Sequence, residues 1–480
     1  MAPGPAPEGR AAALGLEELR GMMKPLPLGT VMRISRRKLL QCAGGLAAAA
    51  LPGTRRHAWA QAAAPGDESG ADPGHSPYPR LPLTFFAHRL GTDHAEGVSL
   101  LDMNGDGRLD ILSGAYWYEN PGPAGGPWPR HQFREVVLVG EFVSDCGEFI
   151  FDVNKDGRPD LVTAGWQRDG LWWFENPGHA GPFWQSHKIC HSIDTEGMAA
   201  GDLLGSGKND DLLACHYNSE GLIWVNFAGR EPVVRQVGER IDGGRHGQGD
   251  GHGVGIGDVD GDGKNDILTA HGWFRNIDAA HNQWEWHPDW ELQEAGFPIL
   301  AYDVNGDGLT DIIYGHGHDY GIYWLEQTRG GGRRSWRRHL IDDSFSQAHA
   351  LALADLDGDG QPELIAGKRY RSDPNPGNYD PLVIYYYKID RAQRRFIRYP
   401  ISYNGTAGAG TQILAADIDG DGDLDLIVAG KTGVHWLENY RIDRVPNAVR
   451  EKELLYDYHW PFPGEGHRAG QQNAPADTPY

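Results

Sequence analysis

This sequence predicts an all-β fold, a seven-bladed β-propeller with calcium-binding DxDxDG hairpin loops, and three observations predict it. The segment D-x-[D/N]-x-D-G-x-x-[D/E] recurs six times, beginning at Asp102, Asp152, Asp258, Asp303, Asp355 and Asp417, with a worn seventh copy at Asp202 (DLLGSGKND). Each copy lies between β-rich runs such as GVSLL and ILSGA, and is followed by an aromatic strand (WYENPG, LWWFENPG, IYWLEQ) and a polar one (WPRHQF, FWQSHKI, SWRRHLI). The starts fall 45 to 62 residues apart, a period that four strands fill in a propeller blade.

Seven inner hairpins and seven aromatic strands are followed by only six polar outer strands. The seventh stands at the start of the repeat region, where Phe85-Phe86-Ala87-His88-Arg89-Leu90 has the outer-strand pattern. Residues 82–90 are therefore expected to close the ring by joining blade seven, which leaves no exposed sheet edge.

The loops carry oxygen at positions 1, 3, 5 and 9 and a glycine at 6 for a sharp turn, the donor set of a hard cation such as Ca²⁺. The candidate calcium residues are Asp102, Asn104, Asp106 and Asp110; Asp152, Asn154, Asp156 and Asp160; Asp258, Asp260, Asp262 and Asp266; Asp303, Asn305, Asp307 and Asp311; Asp355, Asp357, Asp359 and Glu363; and Asp417, Asp419, Asp421 and Asp425. An EF-hand would end in Glu at position 12 between helices; these loops end at 9 between strands. In the worn copy Leu204 and Ser206 replace oxygen ligands, so blade three is expected to keep the turn and lose the ion.

These motifs resemble the FG-GAP/VCBS repeat family over residues 82–440, and the resemblance implies a calcium-stabilised seven-bladed propeller. It is specific for fold and not for function, because such scaffolds serve adhesion, sugar binding and catalysis. The formal net charge of −22 is in large part loop carboxylate. It argues against nucleic acid as a partner.

The N-terminal region reads as targeting sequence. Ser35-Arg36-Arg37-Lys38-Leu39-Leu40, the mild apolar run CAGGLAAAALPG and the small-residue site Ala58-Trp59-Ala60 resemble a twin-arginine signal cleaved after Ala60. The expected organisation is an extension at 1–31 preceding a start at Met32, the signal at 32–60, a linker at 61–81, the propeller at 82–440 and a tail at 441–480. The destination is the periplasm or the medium. Cys42 follows Gln41 and precedes the apolar stretch, which disfavours a lipid anchor, and no later run is apolar enough to span a membrane. Cys146, Cys190 and Cys215 have no CxxC spacing and imply no disulfide framework.

Function is sought at the rim opposite the Asp loops. Six residues before each loop stand Glu96, Cys146, Glu196, His252, Phe297, His349 and Thr411; five residues after each loop stand Ala115, Gly165, Cys215, His271, His316, Lys368 and Gly430. Strand alternation turns both sets toward the axis. His252, His271, His316 and His349 then share one arc, with His318, Lys368, Glu196 and His216 beside them. Neutral imidazoles are the commonest transition-metal ligands, so zinc or another divalent transition metal is expected on the four histidines, with His318, Lys368 or Glu196 as base. The plain alternative is that each inward histidine only bonds water or main chain. Glu148, one step deeper in an apolar channel, is either a base or a lumen ligand, because burial disfavours its charge. Trp117, Trp166 and Trp273 end returning strands and either stack a sugar or pack between blades.

No HExxH, GxSxG or phosphate-loop pattern competes. The layout resembles the propeller of the aldos-2-ulose dehydratases and, more loosely, the metal-dependent propeller polysaccharide lyases. That resemblance implies an exported carbohydrate lyase or dehydratase. The alternative is a non-catalytic propeller that presents its loops to a glycan or protein.

Overall fold

The computed structural model describes residues 83–440, apart from 124, 141, 166–167, 179–182, 192–194, 216–221, 239–251 and 372–374. The expected extension, signal, linker and tail lie outside the described residues. Within them the chain forms seven four-stranded sheets and one two-stranded hairpin, Leu138–Val139 with Phe142–Val143. Strands within each sheet are antiparallel and in sequence order, as in blade five: Leu300–Tyr302, Asp311–Gly315, Tyr320–Gly330 and Arg333–Ser346. Blade seven departs from this order. Its outer strand is Thr84–Gly91 from the start of the domain, paired with Gly433–Tyr440 through Thr84↔Tyr440 and Phe85↔Asn439. The ring is thus closed by main-chain hydrogen bonds at the place read from the sequence. No helix among the described residues is long and apolar enough to cross a membrane.

The core is a series of apolar layers between neighbouring blades. Leu268 and Trp273 of blade four pack with Ile312, Tyr314 and Tyr323 of blade five; Ile365 and Tyr386 of blade six pack with Leu426, Val428 and Leu437 of blade seven. Each second strand is apolar on both faces because a neighbour covers each side. Third and outer strands are joined in five blades by a histidine stacked on a tryptophan, as in Trp324/His339 at 4.6 Å and 18°.

The Asp loops are tight turns that satisfy their own main chain. In blade five, Asp303 Oδ1 accepts from the amides of Gly306 and Asp307, Asp303 Oδ2 from Gly308, Asn305 Oδ1 from Asp307, and Asp307 Oδ1 from Leu309, all within 3.2 Å. Asp and Asn are favoured here because a short side-chain oxygen reaches amides two to five residues ahead. The sixth-position glycines have φ between 79° and 92°, where a Cβ costs energy. The worn turn of blade three survives by the same bonds, with Asp202 accepting from Ser206 and Gly207 (2.9 and 2.6 Å).

The ninth position, read as a calcium ligand, also holds the main chain. Asp311 is fully buried; its Oδ2 accepts from Val304 N (3.0 Å) and its Oδ1 from Gln327 N of the third strand (2.7 Å). Asp110, Asp160, Asp266 and Asp425 repeat both bonds, and Glu363 accepts from Leu356 N. The five aspartates staple the turn to the third strand. In blades four, six and seven the carboxylates of positions 1, 3 and 5 converge within 4.8 Å of one another.

Two predictions follow from the buried polar groups. Asp311→Ala should destabilise the fold by about 1–3 kcal/mol for each amide left without an acceptor, and Asp311→Asn by less; chemical denaturation checks the order Ala worse than Asn. His316 and His435 are buried, and burial pushes both imidazoles down to about 4. The unfolded chain binds these protons from about pH 6.5 downward and the folded chain only near 4, so stability is full above about 6.5 and is lost as pH falls through that window. The melting temperature should therefore fall on acidification, and less steeply in His435→Gln.

Candidate metal centre

The Asp-rich turns join innermost to second strands at one end of every blade. Residues that precede innermost strands, or follow second strands, must then gather at the other end. Glu196 precedes Met198–Gly201, His252 precedes Val254–Gly257, His349 precedes Ala350–Ala354, and His318 follows Asp311–Gly315. One ligand atom from each of these four lies within 4.8 Å of all the others. His252 Nε2 is 2.9 Å from His318 Nε2 and 3.1 Å from Glu196 Oε2. The same Glu196 oxygen is 3.8 Å from His349 Nε2 and 4.0 Å from His318 Nε2. Glu196, His252 and His349 are buried, whereas the His318 side chain is 22% exposed. Access to the group is therefore from the His318 side.

A further set of residues orients these four. Arg369 is buried and fully charged: burial alone would lower its affinity for the proton, but Glu196 and Glu96 outweigh that and raise it well above the usual range. Its Nε donates to Glu96 Oε2 (3.0 Å) and its Nη1 to both Glu196 oxygens (3.2 and 3.3 Å). Nη1 also lies 3.1 Å from His349 Nε2. The Asn375 amide lies 2.7 Å from His318 Nδ1. Glu96 is brought from blade one and Glu196 from blade three, so Arg369 ties together distant parts of the ring.

Protonation fits a cation better than it fits the four groups alone. Burial and the neighbouring His252 push His318 down to about 3; burial, Arg369 and His318 hold His349 well below its usual value. Both are neutral at physiological pH. Burial raises the Glu196 carboxyl, but Arg369 and the His252 hydrogen bond outweigh it and keep the group well below the usual carboxylate range. The neutral imidazoles of His318 and His349 and the Glu196 carboxylate thus turn lone pairs toward one another. Three imidazoles and one carboxylate are the donor set of a divalent transition metal. An ion there would need Arg369 to release His349 Nε2 and Glu196 Oε2 while keeping Glu196 Oε1.

Four of the residues read from the sequence therefore meet, and several do not. Glu196 and His318, read as bases, stand among the ligand atoms with His252 and His349. His271 turns away and pairs with Glu291 at 2.8 Å. His316 packs against the rings of Tyr314 and Tyr323. Lys368 donates to Ser346 Oγ (2.8 Å), and burial lowers its ammonium to about 8. The reason is shared: the second strands end at Thr269, Gly315 and Gly367, so alternation counted beyond them assigns the wrong direction. One residue further, Arg369 points in where Lys368 was expected. Glu148 is taken by Arg134 Nη2 (2.6 Å) and Gly114 N (2.7 Å); burial raises its carboxyl to about 7, and it is a structural partner of Arg134 rather than a ligand of this group.

The tryptophans are corrected as well. Trp117 is buried and stacks on His131 at 4.3 Å; Trp273 is fully buried, stacks on His287 at 4.4 Å and donates to Asp289. Both belong to blade packing and offer no open face to a sugar. Trp166 and His216 lie outside the described residues. Arg369 and Asn375 were missed by the sequence reading. Arg369 adjoins a residue that reading selected, while Asn375 sits on the loop after blade six's second strand and follows no spacing rule.

Comparison with known proteins finds a known repeat within the chain. The FG-GAP-like repeat family matches residues 152–214 and 303–366. No curated protein matches the chain. Among solved structures the chain is similar to an Agrocybe aegerita lectin that recognises non-reducing terminal N-acetylglucosamine, at 15% identity over 73% of this chain and 91% of that one, with TM-score 0.42. It is also similar to BBS1N in complex with ARL6DN (11% identity, 76% and 98% covered, TM-score 0.45) and to the Myceliophteria thermophila Cps50 (Swd1) β-propeller domain (10%, 74% and 99%, TM-score 0.40). With its seven four-stranded sheets the chain is a seven-bladed β-propeller, which contains FG-GAP-like repeats at residues 152–214 and 303–366.

Proposed function

We propose that this protein is an exported, metal-dependent enzyme acting on a carbohydrate, a lyase or dehydratase whose centre is Glu196, His252, His318 and His349. The observation that carries the reading is the convergence of three imidazole nitrogens and one carboxylate oxygen within 4.8 Å at one end of the propeller. A bound zinc or similar ion would supply Lewis acidity, making a C–H bond beside a carbonyl or carboxylate easier to ionise.

The residues of the chain supply the rest. Arg369 donates to both oxygens of Glu196, and Oε2 also lies 3.1 Å from His252 Nε2. His252 and His349, buried and rigid, fix the geometry. His318 is the member that a substrate meets first, and its imidazole is neutral. In β-elimination an ion held by Glu196, His252 and His349 would leave the His318 Nε2 lone pair to take the proton from the activated carbon; the C–H electron pair becomes the new C=C bond, and the β-oxygen leaves with its electrons and a proton from water. Carbohydrates suit this step because a hydroxyl or glycosidic oxygen stands β to each activated carbon. Calcium in the Asp turns would serve at the other end of the blades, stiffening the hairpins.

Elemental analysis of dialysed protein tests the reading, alongside ultraviolet assays for unsaturated products from keto-sugars and uronic-acid polymers. About one transition-metal ion per chain is expected, lost in His252→Ala and His349→Ala but retained in His271→Ala, with turnover following the metal. Arg369→Gln should weaken metal binding by about 10–100-fold, since it orients Glu196 without contacting the ion. A chain that binds no transition metal when zinc and manganese are supplied overturns the enzyme and leaves a glycan- or protein-binding propeller.

A further inference from the structure

The seven turns are not equivalent, and the difference lies on the third strand. Continuing each register by one step, the residue across from the ninth loop position is Glu119, Glu175, Glu326 and Glu438 in blades one, two, five and seven. In blade four it is Arg275 and in blade six Lys388. The third loop position varies with it in the other complete turns, while blade seven combines Asp419 with Glu438. Where it is Asn, as in Asn104, Asn154 and Asn305, the strand carries Glu, and the amide nitrogen lies 3.2–3.5 Å from that carboxylate. Where the strand is basic, the third position is Asp260 or Asp357.

The basic side chains reach into the set of loop carboxylates. Lys388 Nζ is bonded to Asp357 and lies 3.7 Å from Asp359 and 3.5 Å from Glu363. These are the third, fifth and ninth positions of that turn. The ammonium is half-buried, at 23% exposure, and Glu363 is buried. Arg275 Nε is 2.6 Å from Asp260, and its Nη2 is 3.3 Å from Asp262, the third and fifth positions of blade four. Both cations stand where a calcium ion would find its oxygens, and each is tethered to the blade it neutralises. Calcium would have to displace a charge that never diffuses away.

We propose that Arg275 and Lys388 are built-in counter-ions that replace calcium in the turns of blades four and six, confining calcium to the turns of blades one, two, five and seven. The inference rests on the calcium reading of the Asp turns, and concerns which of them use the ion. It also implies that these two blades keep their turns when calcium is withdrawn.

Calcium bound per chain, measured on the full protein by titration calorimetry and by elemental analysis after dialysis, tests this. Lys388→Glu and Arg275→Glu, which restore the acidic residue of the other blades, should each add about one calcium, and the double variant about two. Lys388→Gln, which only removes the charge, guards against misfolding of the acidic variants. It should melt lower than wild type in chelator and recover when calcium is returned. Wild-type protein that already fills all six complete turns, with no gain in any variant, overturns the proposal. Protein that binds no calcium in any form overturns the calcium reading of the turns and the proposal with it.

Discussion

The structure depends on one repeated constraint, the reversal of the chain at the Asp-rich turn and its attachment to the third strand. A buried carboxylate at the ninth position accepts one amide from the turn and one from the third strand, as Asp311 does with Val304 and Gln327. Satisfying buried main-chain donors at this point removes a cost that an apolar residue would leave. It also fixes the register of three strands at once. Register in turn decides which side chains enter the apolar layer between blades and which point to the channel.

From that constraint the candidate centre follows. With every turn at one end, the starts of innermost strands and the ends of second strands share the opposite end, and Glu196, His252, His318 and His349 arrive there from four consecutive blades. Ring closure by Thr84–Gly91 holds the blades in a fixed circle, so a residue of blade one, Glu96, and one of blade three, Glu196, can share the guanidinium of Arg369. A buried ion pair network of this kind offers little net stability, because desolvation offsets the attraction. Its consequence is orientation: Arg369 bonds both oxygens of Glu196 and so fixes the carboxylate with Oε2 toward the imidazoles.

Electrostatic balance is handled differently at the two ends. At the Asp turns, carboxylates are brought close together near solvent, and the balance comes from cations, diffusible or tethered as in Lys388 and Arg275. At the opposite end burial keeps the imidazoles of His318 and His349 neutral. The same residue type has other uses elsewhere in the ring: His131, His187 and His339 stack on tryptophans and bond a strand glutamate, and so serve packing.

The sequence by itself determined the fold class, the positions of the turns, the closing strand and the rim on which Glu196, His252, His318 and His349 lie. These follow from local rules: turn chemistry at Asp and Gly, period-two strands, and a count of four strands per repeat. Which rim residues meet was decided only by the tertiary structure. Alternation predicts direction while a strand lasts, and the second strands stop before His271, His316 and Lys368, so their side chains follow the connecting loops instead. Arg369, Asn375 and Lys388 likewise owe their roles to neighbours up to 273 residues away in sequence, brought near by ring closure and blade packing rather than by any local pattern.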